Sequence, residues 1–193
     1  MFTALELFKK KSSSAKLSKR LGCHIPSINF DKEKLLDIQH KNDSNYIWYY
    51  DHLYSKNKTL LNKNGFSYRF LSHQFLYNES YINDLSLEIK RKIPLLQDTD
   101  FLYQFVKFDK NFKLAIHTDT GRNAALFFSL TDNASPTDFY RGNSKIQSFH
   151  HDSPLLLSVD VPHSSDVKVE KITFQIGFTT MYWDNLLDYC LQL

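Results

Sequence analysis

From Phe101 onward the chain is a succession of short β-branched or aromatic stretches with turn residues between them and no long helix. The stretches are Phe101 to Phe108, Phe112 to Thr118, Arg122 to Leu130, Asp138 to Arg141, Lys145 to His150, Pro154 to Val161 and Val167 to Phe178. Asp109-Lys110, Thr120-Gly121, Asp132-Asn133 and Gly142-Asn143 separate several of them. Stretches of this length and composition, punctuated in this way, predict strands. A parallel sheet needs helical crossovers between its strands, and this half of the chain has no room for them. The pattern predicts an antiparallel sandwich, barrel or jelly roll.

The first hundred residues read differently. Phe2 to Phe8 is a candidate short helix ahead of Ser12-Ser13-Ser14. Asp31 is a candidate cap for a helix running to Gln39, with Leu35, Leu36 and Ile38 on its apolar face. Asn83 is placed as the cap of a second helix that ends at Pro94, with Leu85, Ile89 and Ile93 recurring every four residues. Asn42 to Tyr50 and Lys56 to Gly65 are turn-rich, and Trp183 to Leu193 reads as a closing helix. Residues 1–99 are thus expected as a mixed helical and irregular part packing on the core, 100–180 as the β core, and 181–193 as a C-terminal helix.

Composition excludes several classes. Hydrophobic residues make up 42% of the chain and aromatic residues 15%, enough to bury a core, which argues against disorder. No apolar run approaches the roughly 20 residues of a membrane helix; Ala124 to Leu130 is only strand-sized. Two cysteines, Cys23 and Cys190, make no disulfide framework and no CxxC pair, which fits reduced thiols and a cytoplasmic protein. The net charge of +3 is mild for a dedicated nucleic-acid binder. Lys9 to Arg20 holds six basic residues and no acid, and reads as a solvated segment.

One constellation carries chemistry. His117-Thr118-Asp119 places an imidazole and a carboxylate two residues apart, and at a strand end both would point to one face. His163 follows Pro162 after a later strand. Two imidazoles and one carboxylate on neighbouring strands occupy one face of an octahedral metal and leave three positions open, the arrangement of non-heme Fe(II) oxygenases. Lys171 and Thr173, on the next stretch, share a face by the same period of two. Arg122 and Tyr103 are further polar candidates, with Asn123 and Gln175 behind them. His150-His151-Asp152 reads as a loop of solvated histidines, because consecutive strand residues point to opposite faces.

The segments FVKFDKNFKLAIHTDTGRNAALFFSL and PLLLSVDVPHSSDVKVEKITFQIGF resemble the core of the 2-oxoglutarate- and Fe(II)-dependent oxygenases, in their compact prolyl-hydroxylase-like form. The resemblance implies a mainly β fold with flanking helices around a double-stranded β-helix, the jelly-roll or cupin-like core. It implies Fe(II) held by His117, Asp119 and His163, and 2-oxoglutarate bound to that metal. The far carboxylate of 2-oxoglutarate would be held by Lys171 and Thr173, which stand where the family usually has arginine and serine, with Arg122 and Tyr103 as further co-substrate contacts. O2 would then drive decarboxylation of 2-oxoglutarate to succinate and hydroxylation of an unactivated C–H in an amino acid, a peptide or protein, or a small molecule. Two other readings are a non-catalytic cupin-like metal- or ligand-binding protein and a nucleic-acid-directed hydroxylase or dealkylase. The low net charge does not favour the latter, and no membrane partner is expected.

Overall fold

The computed structural model describes residues 20–45, 76–119, 121–132, 134–179 and 183–193, together with the backbone at 47–48 and 68–71. The expected helix at Phe2 to Phe8, most of the basic segment Lys9 to Arg20 and the turn-rich stretch Lys56 to Gly65 lie outside the described residues. No described helix is long and apolar enough to cross a membrane.

In chain order the strands are β1 (Gly22–His24), β2 (Ile47–Trp48), β3 (Tyr68–Leu71), β4 (Phe101–Phe108), β5 (Lys113–His117), β6 (Ala124–Ser129), β7 (Thr137–Arg141), β8 (Ser144–Phe149), β9 (Leu155–Ser158), β10 (His163–Asp166) and β11 (Lys171–Phe178). The helices are α1 (Lys32–Lys41), α2 (Ser80–Lys92) and α3 (Trp183–Cys190). A seven-stranded sheet has the order β1-β9-β6-β11-β4-β3-β2, and a four-stranded sheet has the order β5-β10-β7-β8. Every pairing is antiparallel. From β4 to β11 the chain passes repeatedly between the two sheets, with only β7 and β8 joined as a hairpin within one. This winding is the double-stranded β-helix.

The faces of β11 explain how the layers are filled. Phe174, Ile176 and Phe178 point to one side, where Phe101, Phe105 and Phe128 join them under the helices. Leu35 and Ile38 of α1, Ile82, Leu85 and Ile89 of α2, and Trp183 and Leu186 of α3 complete that layer. Burying each such side chain contributes about 1.5–3 kcal/mol. Lys171, Thr173, Gln175 and Gly177 take the other face, toward the small sheet, and all eight β11 residues are buried.

Three sequence expectations need correction. α2 starts one turn before Asn83, because the Asn83 backbone N–H already donates to the Glu79 carbonyl within the helical ladder. The N-terminal part is not only helical and irregular. β1 extends one edge of the large sheet and β2–β3 the other, with Ile47–Trp48 falling inside the stretch expected as turns. The stretch expected as one strand from Val167 begins at Lys171, and a separate short strand, His163–Asp166, precedes it.

Candidate metal centre and the lysine beyond it

His117 is the last residue of β5 and His163 the first of β10, and the two are direct register partners. The imidazole rings lie 4.4 Å apart between centroids. Asp119 follows β5 by two residues, and its N–H donates to the Val159 carbonyl at 2.9 Å, which fixes the chain where it leaves the strand. His117 Nε2 is 3.5 Å from Asp119 Oδ1. One donor atom from each of His117, Asp119 and His163 lies within 4.8 Å of the others.

The two imidazoles are held the same way. His117 Nδ1 lies 2.9 Å from the Ala115 carbonyl and His163 Nδ1 lies 2.9 Å from the Val161 carbonyl. A carbonyl oxygen only accepts, so each ring carries its proton on Nδ1 and presents the bare Nε2 lone pair. Backbone carbonyls are among the usual outer partners of metal-bound histidine. Burial lowers the basicity of His163 to about 4, against the opposing pull of Asp119, so the ring is neutral and able to ligate. Burial works against the charge of Asp119. The Arg122 guanidinium, donating to it at 2.6 Å, opposes that, and the carboxyl is held well below the usual carboxylate range. These donors fit a divalent cation of the kind that two imidazoles and a carboxylate select.

Arg122 belongs to this cluster. Its Nη2 donates to Asp119 Oδ2 at 2.6 Å and its Nη1 to Gln175 Oε1 at 3.1 Å. The side chain lies across the backbone of Gly177, where any Cβ would collide with Arg122 Cδ. Gln175 is also bonded by Gln104 at 2.7 Å and donates to Thr173 Oγ1 at 3.0 Å. A line of polar side chains therefore runs along the inner face of β11 from Asp119 through Arg122, Gln175 and Thr173 to Lys171.

Lys171 opens β11 in the large sheet, yet its ammonium reaches residues that flank strands of the small one. Nζ donates to the Ser135 carbonyl at 2.8 Å and to His151 Nε2 at 3.2 Å. The side chain is 3% exposed, and no described carboxylate forms an ion pair with it. Burial without a counter-charge lowers its basicity to about 7. The small sheet supplies a second connection to the metal cluster. His163 pairs with Phe139, and Thr137, two residues along β7, has its hydroxyl 3.0 Å from His151 Nε2. Two residues of strand span roughly 7 Å.

Of the residues expected at the site, His117, Asp119, His163 and Arg122 come together at one end of the interior, and Lys171 and Thr173 line the same face of β11 beyond them. Tyr103 does not join them. It pairs with Ile176, stacks on Phe174 and bonds Ser86 of α2 at 2.9 Å, so it faces the helix layer on the opposite side of the sheet. His151 was expected in a solvated loop and is instead 6% exposed. The inward alternation of β8 continues one step past the strand, through Phe149 to His151, while His150 is exposed. That continuation is the sequence signal that could have found it.

No family model matches the chain, and no curated protein matches its sequence. Solved structures do match. A Pseudomonas putida prolyl-4-hydroxylase aligns over 88% of this chain and 98% of its own, with a TM-score of 0.54 at 10% identity. HygX from Streptomyces hygroscopicus, crystallised with nickel and 2-oxoglutarate bound, aligns over 94% of this chain and 89% of its own, with a TM-score of 0.54 at 10% identity. The non-heme α-ketoglutarate-dependent epimerase SnoN from nogalamycin biosynthesis aligns over 91% of this chain and 83% of its own, with a TM-score of 0.57 at 7% identity. At these identities the likeness is one of fold, and the chain is built on the double-stranded β-helix of the 2-oxoglutarate- and Fe(II)-dependent oxygenases.

Proposed function

We propose that this protein is an Fe(II)- and 2-oxoglutarate-dependent oxygenase that hydroxylates an unactivated C–H of an amino acid, a peptide or protein, or a small molecule. The observation that carries this reading is the pairing of two features in one barrel interior: a three-donor cluster with both Nε2 atoms bare, and a buried ammonium without a counter-charge. A dicarboxylate that ligates a metal through one end and carries a free carboxylate at the other satisfies both. Bound Fe(II), 2-oxoglutarate and O2 would supply the oxidising power, with 2-oxoglutarate decarboxylated to succinate.

In this reading His117, Asp119 and His163 hold the metal. The Ala115 and Val161 carbonyls orient the two rings, and Arg122 orients the carboxylate by occupying its outer oxygen. Lys171 donates a charge-assisted hydrogen bond to the far carboxylate. Thr173 adds its hydroxyl proton from two residues along the strand, since its oxygen already accepts from Gln175. Arg122 is engaged by Asp119 and Gln175, so Lys171 is the better anchor of the two. Asp119 would fill the position that halogenases leave to chloride, which favours hydroxylation over halogenation.

Anaerobic titration of the metal-free protein with Fe(II) and then 2-oxoglutarate tests the reading. A weak visible charge-transfer band that saturates with 2-oxoglutarate is expected, followed by succinate release in air. Iron binding without the band would leave a metal-binding scaffold and remove the oxygenase reading.

A further inference from the structure

His151 closes the small-sheet side of the Lys171 pocket. The ring lies edge-on to Phe127, 5.6 Å between centroids, with the Thr137 hydroxyl 3.0 Å and Lys171 Nζ 3.2 Å from Nε2. An ammonium only donates, so Nε2 accepts and the ring proton sits on Nδ1. Nδ1 is buried and has no hydrogen-bond partner among the described residues. A buried donor without a partner destabilises a fold. The Nε2 lone pair is shared between the Thr137 hydroxyl at 3.0 Å and Lys171 Nζ at 3.2 Å. Burial, with the adjacent charge of Lys171, holds the imidazole well below its usual basicity and therefore neutral.

The consequence lies in the direction of the remaining Lys171 donor. A lysine ammonium is a rotor with three donors on a flexible stem. Here the Ser135 carbonyl takes one donor and His151 Nε2 takes a second, both from residues flanking strands of the small sheet. With two of three tetrahedral directions fixed, the third is fixed as well. We infer that His151 is a positioning residue for the co-substrate: by accepting one Lys171 N–H it locks the ammonium so that its remaining donor is presented to the far carboxylate of 2-oxoglutarate. The inference rests on the function proposed above. It also accounts for how a lysine can serve where the bidentate fork of an arginine would otherwise supply the direction.

The test compares His151→Leu, which removes the acceptor, with His151→Gln, whose side-chain oxygen can restore it. Both are titrated with 2-oxoglutarate on the anaerobic Fe(II) protein, with Fe(II) affinity measured separately. The Leu variant should raise the 2-oxoglutarate dissociation constant at least about tenfold, the effect expected of one lost hydrogen bond to a charged group. The Gln variant should stay within about threefold of the parent, and iron affinity should not change in either. In the parent, nitrogen-15 NMR of the metal-free protein should report the Nδ1–H tautomer for His151, and this measurement stands even if the Leu variant does not fold. Parent-like affinity in the Leu variant, equal losses in Leu and Gln, or an Nε2–H tautomer would each overturn the inference while leaving the oxygenase reading intact. Absence of a saturable 2-oxoglutarate band in the parent itself would overturn both.

Discussion

The two ends of the barrel interior handle charge in opposite ways. At one end Asp119 is compensated from within, by Arg122 at 2.6 Å, so the carboxylate is charged and oriented before any ligand arrives. At the other end Lys171 is more deeply buried and meets only neutral acceptors, the Ser135 carbonyl and the His151 ring. The first end is preorganised and self-sufficient. The second holds a desolvated cation that is stabilised only when an anion comes in from outside. A site built this way offers a cation formed ligands at one end and an incoming anion an uncompensated charge at the other.

The contrast can be broken most severely at the compensated end. Replacing His117 or Asp119 with Ala should weaken Fe(II) binding by more than about a hundredfold, above the 10–100-fold expected for an outer partner. Far-UV circular dichroism should be unchanged, because His117 ends β5 and Asp119 lies two residues past it, so the strand ladder stays intact. Normal iron affinity in either variant, measured by equilibrium dialysis, would remove the metal assignment. At the uncompensated end, Lys171→Met should lower 2-oxoglutarate affinity by about two orders of magnitude and leave iron affinity unchanged. Loss of a hydrogen-bonded buried charge partner costs 2–5 kcal/mol or more in comparable pairs.

The same substitution should also stabilise the metal-free protein. A base whose basicity falls on folding, here from 10.5 to about 7, binds fewer protons folded than unfolded between those values. Its contribution to stability therefore rises as pH increases from about 7 to 10.5, and below that range the full cost of burying the charge is present. Removing the amine should relieve a part of that cost, about 2 kcal/mol, which for a chain of this size is roughly 4–8 °C in Tm. A lower Tm for Lys171→Met at pH 7 would show that the two neutral acceptors already compensate the charge. The protonation state bears on binding as well. If the ammonium is the form that binds 2-oxoglutarate, affinity should fall about tenfold per pH unit above about 7.5. The groups facing it, Ser135, Thr137 and neutral His151, have no charge to offset the loss. A flat profile from pH 7 to 9 would show that Lys171 is protonated throughout.

The two ends also differed in how much of them was legible in the sequence. The grouping of His117, Asp119 and His163 is legible because each lies at a strand end or within two residues of one, and β4 is legible at its observed limits because its large side chains stop at Asp109-Lys110. β10 was missed as a strand for a physical reason. His163-Ser164-Ser165-Asp166 carries no apolar side chain, and its buried serines are satisfied by hydrogen bonds to Tyr140 and Pro136 that no hydropathy pattern reveals. The side taken by Tyr103 is not legible because β11, its partner strand, is buried on both faces. With no solvent face along β11 to calibrate the alternation, the position of α2 tells which side is the helix layer. Alternation puts His150 and His151 on opposite faces but leaves open which of the two turns inward, and the fold buries His151.

The smallest effect probes how the compensated end was built. Arg122 reaches both Asp119 and Gln175 only by lying flat on the backbone of Gly177, and a Cβ there would collide with its Cδ. β11 is otherwise filled with large or branched side chains on both faces, so a glycine inside it sacrifices packing and conformational economy. That concession is explained if the guanidinium must cross at this level. Gly177→Ala should therefore act through Arg122. Iron affinity should drop by about tenfold or less, the lower range for loss of an outer partner, while the 2-oxoglutarate dissociation constant of the iron-loaded protein changes by less than about twofold. Arg122→Leu should give a comparable loss of iron affinity, and combining it with Gly177→Ala should add little further loss, because residues that act through one contact are not additive. Full additivity in the double variant would place the role of Gly177 elsewhere, in the close packing of β11 against β6 and β4.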